Sequence, residues 1–127
     1  MKAIFSFLSA VFIILTLAAC CKGGGGGDAT ITASPYHHSK AITGSIVYVK
    51  YDATEYPGAD PANYSTYFSA AASDVPVKCT GLKCGDYYLY CVGYDNAISQ
   101  KVSGGLHVKI KFGDRKSNAD TNIPVTE

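Results

Sequence analysis

Beyond residue 20, apolar residues recur at every second position, in short runs broken by Gly, Pro, Asn and Asp. That period belongs to half-buried strands, and no stretch there keeps the 3.6-residue period of a long amphipathic helix. Ala29, Ile31 and Ala33 alternate with Thr30 and Thr32, which predicts a first strand, and Pro35 to Gly44 interrupts it with turn formers. In Ser45 to Tyr51, Val47, Val49 and Tyr51 oppose Ile46, Tyr48 and Lys50. Apolar residues on both faces predict a central or covered strand. Asp60 before Pro61 predicts one short helical turn, capped by the carboxylate. Tyr67 to Ala70 follows as a strand.

Val75, Val77 and Cys79 then lead into Thr80 to Tyr94, TGLKCGDYYLYCVGY. This stretch predicts a hairpin: a glycine-rich turn, then an arm with Tyr87, Leu89 and Cys91 on one face and Tyr88, Tyr90 and Val92 on the other. Leu106, Val108, Ile110 and Phe112 alternate with His107, Lys109 and Lys111. Thr121, Ile123 and Val125 close the chain in a strand whose Pro124 requires a sheet edge. Seven short strands without a long helix predict an all-β sandwich with one short helical turn.

The N-terminus has a different character. Lys2 precedes an apolar run from Ala3 to Ala19, the form of a signal peptide over residues 1–19. The run ends in Leu17-Ala18-Ala19-Cys20 and resembles a bacterial lipobox. The resemblance implies diacylation of the Cys20 thiol, cleavage before Cys20 and acylation (palmitate) of the new amino terminus. An uncleaved membrane anchor is the alternative, since the run nearly spans a bilayer. Cys21 is the poorer acceptor, because Cys20 would then occupy a position that requires a small residue. Cys20 to Gly27 reads as lipidated cysteine and flexible glycine tether, reaching about 12 Å as a coil. Asp28 to Glu127 is left as the domain.

Without Lys2 the chain carries ten basic and ten acidic side chains. That balance gives no electrostatic footprint for nucleic acid and no polybasic cluster for anionic lipid. Association with a membrane is therefore expected through acylated Cys20, with stable anchoring from two or more acyl chains. The expected address is a bacterial cell envelope, at the outer membrane.

Gly81, Leu82, Gly85, Tyr87 and Leu89 resemble the G-L-x-P-G-x-Y-x-L hairpin of carboxypeptidase regulatory-like and Cna-B-type domains. Cys84 stands where that pattern has proline. Lys40 to Ser45 is similar to a K-P-I-x-G-A segment of the same domains, with Ala41 for proline. The resemblance implies a seven-stranded transthyretin-like (prealbumin-like, Ig-like) sandwich. It implies little chemistry, because such folds host many roles. The hydrolase branch of the transthyretin-like group carries a Tyr-Arg-Gly-Ser motif that Asn122 to Glu127 does not match.

Candidate sites are few. Tyrosine is in excess, ten residues with no Trp. Tyr48, Tyr88 and Tyr90 form a candidate ligand face, because tyrosine gives contact area at low entropic cost. The alternative is that they cover one face of the sandwich. In hairpin register Cys79 and Cys91 lie too far apart to bridge, whereas Cys79 and Cys84 close across a tightened turn. Otherwise Cys79 and Cys91 are core residues and Cys84 an exposed thiol. His37 and His38 point to opposite faces of an extended segment, so no shared metal is expected. Asp52, Glu55 and Asp60 lie in one loop without EF-hand spacing. No cofactor or catalytic constellation emerges. A non-enzymatic envelope lipoprotein is expected, acting as a binding or structural accessory with a protein or glycan partner. The alternative is a carbohydrate- or small-ligand-binding module using the tyrosine face or the 52–64 loop.

Overall fold

The computed structural model describes residues 21–127, so the expected signal peptide and Cys20 lie outside the described residues. The described chain is an all-β sandwich of two sheets. Its strands are β1 (Gly25–His37), β2 (Lys40–Ala41), β3 (Ile46–Tyr51), β4 (Thr66–Ser69), β5 (Val77–Leu82), β6 (Gly85–Asp95), β7 (Gln100–Ile110) and β8 (Asn118–Pro124). Helical structure among the described residues is confined to two 3-10 turns, Pro61–Asn63 and Phe112–Asp114. The first turn follows the expectation: Asp60 accepts from the Ala62 backbone N–H at 3.0 Å. The second sits where Phe112 was expected to continue a strand.

One sheet has the order β4-β3-β6-β7, all antiparallel, with β3 interior as its two apolar faces predict. The other is built on β1, which pairs antiparallel with β5 and β2 and parallel with β8. Ala33 pairs with both Val77 and Thr121, and Tyr36 with both Ala41 and Pro124. Hence β5 and β2 follow one another along one edge of β1, and β8 lies along the other. Pro35 falls in the gap between β5 and β2, where a missing N–H breaks no ladder bond. The strand therefore runs on to His37 through a segment expected as a turn. Pro124 lies on β8, an edge strand of its sheet.

The buried faces meet as alternation requires. Ile31, Ala33, Val77, Cys79 and Ile123 from one sheet belong to the same apolar cluster as Val47, Val49, Tyr87, Leu89 and Cys91 from the other. The sandwich is tied at one edge where the chain just past β8 meets β7, with Ser103 and Thr126 exchanging backbone bonds of 2.8 and 2.9 Å.

The stretch Val75 to Tyr94 is not a hairpin. β5 pairs with β1 in one sheet and β6 with β3 and β7 in the other, so Leu82 to Gly85 carries the chain between sheets. Alternation fixed which face of each strand is buried. It carried no information about which sheet a strand joins.

Candidate functional site

The corner between β5 and β6 is held by the residues expected to form a loose tether. Cys21 is disulfide-bonded to Cys84, and this corrects the expected Cys79–Cys84 bridge and the exposed Cys84 thiol. Cys79 and Cys91 are buried free thiols. Burial pushes Cys79 up to about 12, with Cys91 nearby adding to it, and pushes Cys91 up to about 11. Thiols so raised are inert core residues.

The glycines that follow Cys21 are packed. Gly25 already pairs with Leu82, and after irregular pairing through Ala29 the register is regular from Ile31 onward. The Gly24 carbonyl accepts from Lys83 N–H at 2.9 Å. The buried Tyr87 hydroxyl accepts from Gly24 N–H at 2.9 Å and donates to the Lys83 carbonyl at 2.6 Å. Gly23 N–H donates to Asp52 Oδ1 at 2.7 Å. A Cβ on Gly27 would run into the backbone carbonyl of Leu82, and one on Gly85 into the backbone of Gly23. The glycine run is thus a close-approach element of the fold. The disulfide corner also borders a shallow groove lined by Gly27, Asp28, Lys83, Phe112, Arg115 and Lys116. These cations are scattered in sequence and gathered only by folding.

The second candidate is the outer face of the β4-β3-β6-β7 sheet. β3 and β6 put Tyr48 directly opposite Tyr90. Both belong to one aromatic layer with Tyr88, as alternation predicts. Loop 52–64 folds over this layer and adds Tyr56 and Tyr64, and β4 adds Tyr67. Ring centroids lie 5.4 Å apart for Tyr56–Tyr90 and 5.9 Å for Tyr56–Tyr88. Tyr64 stacks on Tyr90 at 5.8 Å, and Tyr48 lies 5.8 Å from Tyr64 and 6.1 Å from Tyr67. The loop is braced by Tyr64, whose hydroxyl donates to the Gly58 carbonyl at 2.7 Å.

Tyr90 is buried beneath this cover, Tyr48 and Tyr88 are half-buried, and Tyr56 and Tyr67 remain 52% and 65% exposed. Tyr90, of the candidate face Tyr48, Tyr88 and Tyr90, is therefore covered and the other two partly so. The most exposed rings of the layer are Tyr56 and Tyr67, which that face did not include. Burial raises the phenols of Tyr64 and Tyr88, with Tyr56 and other ring neighbours adding to the rise at Tyr64. At neutral pH these groups are uncharged donors and acceptors on apolar rings, suited to hydroxyl-rich ligands.

His37 and His38 depart from expectation. His38 and Ser39 are both in the left-handed region, at φ 49 and 63, and form the two-residue turn between β1 and β2. That turn brings the two rings to 4.0 Å between centroids instead of sending them to opposite faces. Left-handed φ costs a residue with a Cβ roughly 1–2 kcal/mol. His37 is buried and meets Asp95 Oδ2 at 2.8 Å and Glu127 Oε2 at 2.9 Å. Bonds from His37 and from the Ala97 backbone N–H hold the Asp95 carboxyl below its usual range. Of the loop acids, Asp52 and Asp60 accept the backbone bonds given above, and His107 pairs with Asp86 across β6 and β7 at 2.8 Å.

Comparison with known proteins finds no matching family model, no matching curated protein and no matching solved structure.

Proposed function

We propose that this chain is a non-enzymatic envelope lipoprotein, anchored through acylated Cys20, whose sandwich acts as a membrane-proximal binding or structural accessory. The observation that carries the reading is the Cys21–Cys84 disulfide. A structural disulfide belongs to an oxidising compartment, as an exported chain would meet. It also commits the Cys21 sulfur, leaving Cys20 as the cysteine of the lipobox able to take lipid. The bridge begins at Cys21, so no free glycine spacer separates Cys21 from the β5–β6 corner. Exposed Phe112 and the cations Lys83, Arg115 and Lys116 border that corner and suit a lipid headgroup boundary. A sandwich of the carboxypeptidase regulatory-like or Cna-B type fits this role.

The test is metabolic labelling with a fatty acid in a bacterial host. The parent chain and Cys21→Ala are expected to be labelled, whereas Cys20→Ala is expected to lose labelling and accumulate unprocessed. Undiminished labelling of Cys20→Ala would reject the anchor.

A second reading is favoured by the aromatic layer: a carbohydrate- or small-ligand-binding surface made of loop 52–64 and the outer tyrosines. On a glycan array, a bound glycan is expected to lose at least tenfold in affinity for Tyr56→Ala with Tyr67→Ala. Those rings are exposed, so their removal leaves the fold intact. An array without any binder speaks for the structural role.

A further inference from the structure

We propose that His37, His38 and Glu127 bind a divalent transition-metal ion of the Zn²⁺ class, with Asp95 positioning His37. One ligand atom from each of the three lies within 4.8 Å of the others. The arrangement around His37 calls for a positive centre. A neutral imidazole has one N–H and one lone pair. Both its nitrogens face carboxylate oxygens, Nδ1 at Asp95 and Nε2 at Glu127. With Nδ1–H donated to Asp95, the Nε2 lone pair would point at the Glu127 oxygen. Either a second proton or a metal ion resolves that contact.

Two further observations favour the metal. Asp95 is buried and takes the bond on the far nitrogen, the carboxylate–histidine pairing that fixes a metal-binding tautomer. The second is the turn. A two-residue hairpin turn with both φ positive favours Asn-Gly, yet His-Ser occupies it and returns the His38 ring to His37. A locally unfavourable residue at a strained turn marks a role other than stability. His37 is buried and hydrogen-bonded to Asp95, whereas His38 and Glu127 are exposed and an ion can reach them. Imidazole and carboxylate suit Zn²⁺, and three protein ligands leave a position for water or an external ligand.

Equilibrium dialysis of the full chain against Zn²⁺ alone, with visible absorption of the Co²⁺ form, tests the proposal. One ion per chain is expected, with the absorption of a low-symmetry Co²⁺ site. His38→Ala and Glu127→Gln should each weaken binding by at least about tenfold, and Asp95→Asn by about 10–100-fold. His38→Asn with Ser39→Gly gives the turn its preferred residues, so this variant should melt no lower than the parent while losing the ion. Binding unchanged in His38→Ala and Glu127→Gln would overturn the proposal. So would a parent chain that takes up no Zn²⁺, which would leave His37 as a structural link between two carboxylates. Neither result bears on lipid labelling at Cys20.

Discussion

Replacing Cys21 and Cys84 together by serine lowers the melting temperature by roughly 20 °C. The bridge joins residues 63 apart in sequence, so it closes more than half of the described chain into a loop. Constraining a loop of that length in the unfolded chain stabilises the fold by about 4 kcal/mol. In a domain of about 100 residues, each kcal/mol is worth roughly 4–8 °C. Calorimetry on the variant, and on the parent with reductant, should give the same loss. Cys79 and Cys91 are free, so reductant has no other bridge to open among the described residues. A shift below about 5 °C would show that the glycine strand and the Tyr87 hydroxyl hold the corner without the bridge.

Gly27→Ala should be among the most damaging single-methyl changes, at about 3 kcal/mol. Its Cβ meets the backbone of Leu82 and Lys83, which no side-chain rotation can clear. Gly24→Ala is the control, since a Cβ there meets nothing within 4 Å. A flexible tether would tolerate both substitutions alike, whereas a packed strand separates them. Urea unfolding of the two variants beside the parent measures the difference. Equal midpoints would return the glycine run to the role of a tether.

How much was legible depends on how local each feature is. Tyr87, Leu89 and Cys91 face the core because side chains alternate along a strand, and the three were placed correctly from sequence. Tyr48, Tyr88 and Tyr90 share a face for the same reason. Tyr56 and Tyr64 joined them only because the irregular 52–64 loop folds back over the sheet, a path no periodicity encodes, and Tyr67 because β4 pairs it with Tyr48. Cys84 was conspicuous, but its partner was hidden by a glycine run whose composition is that of a linker. His37 and His38 were set apart by strand geometry, which fails once the second residue enters the left-handed region.

An all-β chain, the inward residues of most strands, the capped turn at Asp60 and the edge position of Pro124 are readable along the chain. These follow from backbone periodicity and from residue chemistry within a few positions. Long-range packing decided that Thr80 to Tyr94 crosses between sheets instead of forming a hairpin. It also decided that Cys21 reaches Cys84, that glycine serves close backbone approach, and that Asp95 and Glu127 converge on His37. Each of these depends on contacts between residues far apart in the chain, where alternation states which face is buried and is silent about what it is buried against.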